Sequence, residues 1–144
     1  MGERLEEARR PQGVVVFIRH RDRYLFIQRA EGISLAGLWC PVSGAMEPGE
    51  RQEDTIRREA MEEVAQPVRP LLRLGESPSR DGRWRLHWWL AEADAPLARI
   101  HSPREVADLD WLTLAEIRAL PDRTDVFLGM LQQVTAHHGF PSLA

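Results

Sequence analysis

Apolar runs separated by turn-forming residues divide the first third of the chain into short elements. Residues 13–20 (GVVVFIRH) and 23–29 (RYLFIQR) are rich in Val, Ile, Leu and aromatic residues, and residues 21–22 between them permit a tight turn. This pattern predicts a β-hairpin. Residues 30–50 hold several glycines and two prolines, so we expect a loop there, with one short strand near 38–42.

The rest of the chain shows segments with the apolar spacing of a helix and segments with the apolar alternation of a strand. Residues 51–65 lack glycine and proline and contain many good helix formers, which predicts a helix that Pro67 terminates. Apolar alternation in WRLHWWLAE places Trp84, Leu86, Trp88 and Leu90 on one face of a strand. The other predicted elements are strands over 71–76, 84–92 and 106–111, a helix over 113–120, and a helix from Thr124 or Asp125 to near Gly139, with Phe127, Met130, Leu131 and Val134 as its apolar stripe. Strands mixed with helices in this way predict an α/β domain.

Length and composition narrow the class of protein. The 144 residues support one compact domain, which we assign to residues 13–144 after a polar arm over residues 1–12. One cysteine, Cys40, excludes a disulfide framework, and a net charge of −3 disfavours a nucleic-acid binder. No apolar run is long enough to span a bilayer, and the charged amino terminus lacks a signal-peptide pattern, so we expect a cytoplasmic protein with no membrane partner.

The charge is unevenly distributed. Residues 47–63 contain seven acids and three arginines, a net −4 in seventeen residues, so the rest of the chain sums to +1. On a helix, Glu59, Glu62 and Glu63 fall within an arc of about 100° and repel one another. A hard divalent cation such as Mg²⁺ or Mn²⁺ relieves that repulsion. The opposite side of this helix carries Ala60, Met61 and Val64, which we expect to be its packing face. A solvated, charged surface helix is the alternative interpretation.

Residues beside this helix fit a metal and phosphate site. Arg58 precedes Glu59 and lies four residues before Glu62, where its guanidinium can orient a carboxylate. The sequence Glu47-Pro48-Gly49-Glu50 has the chemistry of a type II turn. Gly44 allows a close approach to the backbone.

The segment 44–66, GAMEPGERQEDTIRREAMEEVAQ, resembles the Nudix box, G-x5-E-x7-R-E-U-x-E-E-x-G-U with U aliphatic. Gly44, Glu50, Arg58, Glu59, Glu62 and Glu63 hold its fixed positions, and residues 38–43 are similar to the W-x-x-P-G-G sequence before it. The departures are Ser43 for a glycine, Ala60 for the first aliphatic residue, Ala65 for the last glycine and Gln66 for the last aliphatic residue.

This resemblance implies a fold and a reaction. Members of the family are α/β/α sandwiches around a mixed sheet. They use Mg²⁺ or Mn²⁺ to hydrolyse a diphosphate linked to another moiety, often a nucleoside. The implied partner is therefore a small diphosphate substrate. Homodimers are common in the family, so self-association is also an expectation.

The resemblance further implies roles for individual residues. The metal ligands would be Glu59, Glu62, Glu63 and the main-chain carbonyl of Ser43, with Gly44 and Glu50 supporting the site. The catalytic set would be Glu62, Glu63, Arg58 and Glu105, and either a carboxylate of the box or Glu105 would be the base. Arg29 would bind phosphate, with a surface ion pair as its alternative. Trp84 suits stacking on a base, although such a residue equally fills a core or an interface.

Two alternative functions stay open at this level. The first is a binding module that has the same fold and recognises a nucleotide but does not hydrolyse it. An isomerase acting on isoprenoid diphosphates would need a catalytic cysteine, for which Cys40 is the sole candidate. The leaving group is undetermined, because residues 82–84 carry neither the proline nor the tyrosine that marks ADP-ribose or dinucleoside-polyphosphate enzymes of the family.

Overall fold

Seven strands and three helices occupy residues 10–121 and 124–138, the part of the chain that the computed structural model describes. The elements are β1 (Gln12–His20), β2 (Arg23–Arg29), β3 (Trp39–Cys40), β4 (Val42–Ala45), α1 (Gln52–Val64), β5 (Arg69–Pro78), β6 (Arg85–Glu92), β7 (Val106–Leu112), α2 (Leu114–Arg118) and α3 (Thr124–His138).

The seven described strands form one mixed sheet. Its main path runs β3-β2-β1-β6-β5, with β4 paired to β1 and β7 paired to β2. β1 is parallel to β6, and the other pairs are antiparallel. A parallel pair needs a crossover connection, and the chain between β1 and β6 contains α1.

Two helices cover opposite faces of this sheet. Trp88 and Trp89 are neighbours on β6, so their side chains point to opposite faces. Trp89 donates to Gln52 of α1 at 2.7 Å, whereas the ring of Trp88 lies 6.2 Å from that of Phe127 on α3. The sequence-based prediction of an α/β/α sandwich around a mixed sheet is therefore confirmed.

Aromatic packing builds the layer between the sheet and α3. Phe17 stacks on Trp88 with ring centroids 5.8 Å apart, and Phe26 meets Phe127 edge-on at 5.7 Å. These side chains belong to one continuous core together with the fully buried Tyr24. Burial of these large rings stabilises the packing of α3 on the sheet.

Most predicted elements are confirmed, with bounds shifted by one or two residues. The single short strand expected near 38–42 is instead two strands, β3 and β4, since Pro41 between them cannot donate to a ladder. Thr113 caps α2 through a capping box with Glu116. Residues 1–9 of the predicted arm, Gly139, and the side chains of Thr124, Asp125 and Val134 lie outside the described residues.

No helix within the described residues is both long enough and apolar enough to cross a membrane.

Candidate active site

A tight turn leads from β4 into the acidic helix. The amide of Glu50 donates to the carbonyl of Glu47 at 3.0 Å, and Gly49 has φ +78°. A positive φ at the third turn position requires glycine or a similarly permissive residue. The predicted Pro-Gly turn is thus present, and it brings Glu50 back alongside α1.

The buried stripe of α1 differs in one respect from the predicted packing face. Ile56, Ala60 and Val64 are fully buried, but Met61 is 45% exposed and Glu63 only 4% exposed. Residues 56, 60 and 64 follow one another at intervals of four along the buried side of the helix, and residue 63 lies beside them. Met61 lies outside this buried side. The prediction for Met61 was wrong, and a carboxylate occupies the interior in its place.

Gly44 marks the closest approach of β4 to α1. A Cβ atom at this position would overlap the carboxyl group of Glu59. Glycine is therefore required here by sterics, although its backbone is ordinary strand. A close approach to the backbone was expected at Gly44, and the group that makes it is the Glu59 carboxylate, which lies directly against β4.

Arg58 connects the turn, the strand and the helix. Its guanidinium donates to both oxygens of Glu50 at 2.8 and 2.9 Å, to Glu59 Oε1 at 2.9 Å and to the carbonyl of Ala45 at 2.9 Å. A longer contact of 3.3 Å reaches Glu62. Such paired, charge-assisted bonds fix orientation as well as position.

Glu50 is saturated with donors. Besides Arg58, it accepts from Thr55 Oγ1 at 2.6 Å and from the amide of Glu47 at 3.1 Å. These bonds, led by those of Arg58 and Thr55, lower the pKa of Glu50 to about 2. The carboxylate is therefore ionised and fully engaged in holding the turn against α1.

Glu63 is a buried carboxyl group of the site with one oxygen that lacks a hydrogen-bond partner among the described residues. Burial raises its pKa to about 9, with the nearby carboxylates of Glu59 and Glu105 acting in the same direction. Burial also raises the pKa of Glu59, despite its bonds to Arg58. Glu59 and Glu63 lie four residues apart on α1, and Glu63 Oε2 has no hydrogen-bond partner in the described part of the chain.

Arg29 and Glu105, which lie outside α1, act on the Glu63 member of this pair. The charge of Arg29 acts on both Glu63 and Cys40, and its side chain is held by Ser34, with Nε 2.6 Å from the Ser34 carbonyl. Glu105 is exposed and acts electrostatically on Glu63. Residues far from Glu63 along the chain, Arg29 and Glu105, thus both act electrostatically on its carboxyl group.

Of the remaining predicted residues, Ser43 lies near the carboxylates of α1 and Trp84 lies far from them. Ser43 lies on β4, adjacent to Gly44 and opposite Val15 of β1. Trp84 precedes β6, and its ring lies beside Gly13 together with Leu86, on the sheet face opposite α1. The structure does not bring Trp84 together with the carboxylates.

Cys40 is poorly suited to nucleophilic chemistry. Its side chain is buried, and burial raises the pKa of the thiol to about 11 in spite of nearby Arg29. A thiol rather than a thiolate is therefore present at neutral pH. This disfavours the isomerase alternative.

Several residues of the site escaped the sequence analysis. Thr55 is fully buried and supports Glu50, Ser34 supports Arg29, and His101 contacts the carboxyl end of α1. The sequence held a weak signal for Thr55, because a threonine hydroxyl on the buried side of a helix needs a hydrogen-bond partner. Ser34 and His101 lie in loops whose position no local pattern reveals.

The donors fit a divalent cation. Among the described residues, no group of three acidic, histidine or cysteine side chains is already closed around one point. However, Glu63 presents a buried, unpartnered oxygen near Glu59, and Glu62 lies directly before Glu63 and about one turn after Glu59 on the same helix. An all-oxygen set of this kind matches the preference of Mg²⁺ and Mn²⁺.

Taken with the fold, this acidic helix defines the class: an α/β/α domain in which a helix rich in carboxylates lies against a glycine of the sheet. The NUDIX domain model matches residues 9–131, which is most of the chain, and the protein belongs to the NUDIX hydrolase family.

Individual relatives agree with this assignment. The chain is 26% identical over 113 residues to the NAD-capped RNA hydrolase NudC of Photorhabdus laumondii, covering 78% of this chain but only 43% of the relative. It is 25% identical to a MutT NUDIX hydrolase from Burkholderia pseudomallei, with a TM-score of 0.67 over 86% of this chain and 97% of that one. A NUDIX hydrolase from Nitrosomonas europaea, at 18% identity, shares the fold with a TM-score of 0.74 over 92% of this chain and 75% of that one.

Proposed function

We propose that this chain hydrolyses a diphosphate bond in a nucleotide-derived small molecule with the help of Mg²⁺ or Mn²⁺. One observation carries the proposal: Glu63 is buried next to Glu59 with Oε2 unpartnered, in an acidic helix of a NUDIX domain. An unsatisfied buried carboxylate is costly unless a cation completes it.

Each predicted residue except Trp84 receives a role in this reaction. Glu59, Glu62, Glu63 and the Ser43 carbonyl would hold the metal, which when bound screens the diphosphate and lowers the pKa of an attacking water. Arg58 orients Glu59, Glu50 fixes Arg58, and Gly44 leaves room for Glu59. Arg29, held by Ser34, binds a phosphate oxygen, and Glu105 or a carboxylate of α1 accepts the proton of water.

Some expectations accompany this proposal. We assign the activity to a single domain over residues 13–144 and place the protein in the cytoplasm. A homodimer remains a prediction, which light scattering tests. Trp84, on the far face of the sheet, could reach only a distal part of a substrate, so it remains a candidate for base stacking without a place in the carboxylate site.

A substrate panel tests the proposal. The purified chain is incubated with Mg²⁺ and NAD, nucleotide sugars, ADP-ribose, dinucleoside polyphosphates or (d)NTPs. For the first four, whose intact forms phosphatase does not attack, phosphate is measured after phosphatase treatment of the products. For the (d)NTPs, phosphate is measured after treatment with inorganic pyrophosphatase. NAD is included because the NudC relative is named for NAD-capped RNA. The variant Glu63→Gln should lose at least about 100-fold in kcat on the best substrate.

A matched control separates this effect from a change in helix charge. Glu53→Gln makes the same substitution in the first turn of α1 and should retain the parent activity. If Glu63→Gln hydrolyses the best substrate as fast as the parent, the metal assignment is wrong. If the parent cleaves nothing in the panel, a nucleotide-binding module without hydrolysis becomes the better proposal.

A further inference from the structure

The segment of residues 95–105, here named the strap, lies across the carboxyl end of α1. Its backbone amides at Arg99, His101 and Ser102 donate to helix carbonyls: Arg99 to Val64 at 2.9 Å, and His101 and Ser102 to Glu63 at 3.0 and 3.2 Å. The last carbonyls of a helix have no partners within the helix. The strap supplies those partners at the turn that carries Glu62 and Glu63.

Gln66 secures the first part of the strap. This residue replaces an aliphatic position of the Nudix box and is only 1% exposed. Its amide donates to the carbonyl of Ala95 at 3.0 Å, and its oxygen accepts from the amide of Leu97 at 2.9 Å. The departure from the family pattern therefore has a structural purpose, since Gln66 gives the strap a buried attachment.

The side chain of His101 adds a second attachment. His101 Nδ1 lies 3.0 Å from the carbonyl oxygen of Glu62 and 3.2 Å from that of Met61. Carbonyl oxygens only accept hydrogen bonds, so Nδ1 must carry the hydrogen. The imidazole thus ties the middle of the strap to the backbone of two helix residues next to Glu63.

The far end of the strap holds Glu105. The carbonyl of Ser102 accepts from the amides of Glu105 at 3.0 Å and Val106 at 2.9 Å, and Ser102 Oγ donates to Glu105 Oε2 at 3.2 Å. The carbonyl of Glu105 accepts from Ala30 at 2.9 Å. The position of Glu105 relative to Glu63 therefore depends on two attachments: Ala30 holds its carbonyl, and Ser102, docked with His101 on the helix, holds its amide and carboxylate.

We propose that His101 is a positioning residue, whose Nδ1–H holds the strap on the carboxyl end of α1 and thereby sets the Glu105 carboxylate beside Glu63. The inference rests on the proposed function only in supposing that Glu105 takes part in hydrolysis. The attachment of the strap itself is independent of any activity.

Three substitutions test this role. His101→Ala removes the donor, whereas His101→Asn places an amide N–H near the position of Nδ1. Ile100→Ala is the control, because it truncates a side chain that is 40% exposed in the same segment. On the best substrate, His101→Ala should lower kcat about 10-fold with KM within about twofold, and His101→Asn should recover most of it.

Hydrogen exchange measured by mass spectrometry gives a readout that needs no substrate. Amides of residues 99–102 should exchange about 5- to 10-fold faster in His101→Ala than in the parent, and near the parental rate in His101→Asn and Ile100→Ala. Unchanged exchange in His101→Ala overturns the proposal, and so does equal kcat loss in His101→Asn and His101→Ala. If the parent shows no hydrolysis, the proposed function fails, and the exchange experiment alone decides whether His101 holds the strap.

Discussion

Replacing Arg58 by lysine is the sharpest test of how the site is held together. Four bonds of 2.8–2.9 Å join its guanidinium to Glu50, Glu59 and the Ala45 carbonyl. Lysine keeps the charge but presents one ammonium in place of a planar fork, so it cannot satisfy partners on three sides at once. The variant therefore isolates geometry from charge.

The magnitude follows from the bonds that are lost. The Arg58 side chain is 24% exposed, so we use the lower end of the range for charge-assisted bonds. If lysine keeps two of the four, the loss of two at about 1.5 kcal/mol each predicts that the free energy of unfolding falls by about 3 kcal/mol. Urea denaturation of the metal-free protein measures this value.

The adjacent residue supplies the control. Arg57 is 52% exposed and makes a 3.3 Å contact with Asp54, so Arg57→Lys should change the free energy of unfolding by no more than about 0.5 kcal/mol. Equal losses in the two variants would refute the idea that Arg58 organises the site through its fork. A loss confined to Arg58→Lys, with the urea slope unchanged, would support it.

Three further predictions concern the same region. Gly44→Ala should displace the Glu59 carboxylate, costing about 1–3 kcal/mol in urea denaturation and most of the hydrolysis, whereas Gly129→Ala, in a helix with open space around it, should not destabilise. Ala65 has φ +51°, so Ala65→Gly should raise the free energy of unfolding by about 0.5–1 kcal/mol, and a lower value would contradict the left-handed backbone there. Because the folded-state pKa of Glu63 is raised from 4.5 to about 9, its contribution to stability is full below pH 4.5 and is lost as the pH rises toward 9. In chelator, stability should fall across this window by up to about 1.4 kcal/mol per pH unit, and Glu63→Gln should flatten the decline; an equally steep decline in the variant would show that other groups cause it.

Much of the site was accessible from local spacing. The turn at Glu47–Glu50, the helix over 51–65 and the arc of carboxylates follow from residue types and the helical period, all of which act over a few residues. The glycine of the family pattern at position 65 also finds its reason here, because the backbone after α1 turns left-handed even with alanine present.

Contacts between distant segments could not be read in this way. Arg29, Ser34, His101 and Glu105 lie in loops or at strand ends, and their arrangement around α1 depends on where the sheet places those ends. Trp84 illustrates the same limit, since strand alternation gives its face relative to Trp88 but not which helix covers that face.

The sequence by itself therefore determined the arc of carboxylates on the acidic helix and the family to which the chain belongs, because the residues that define both lie within one turn and one helix. Only the tertiary structure decided that Glu63 is buried and Met61 exposed, and that the strap joins Glu105 to the end of α1. The physical reason is that burial and loop docking depend on surfaces supplied by β1, β4 and β6, far from α1 along the chain.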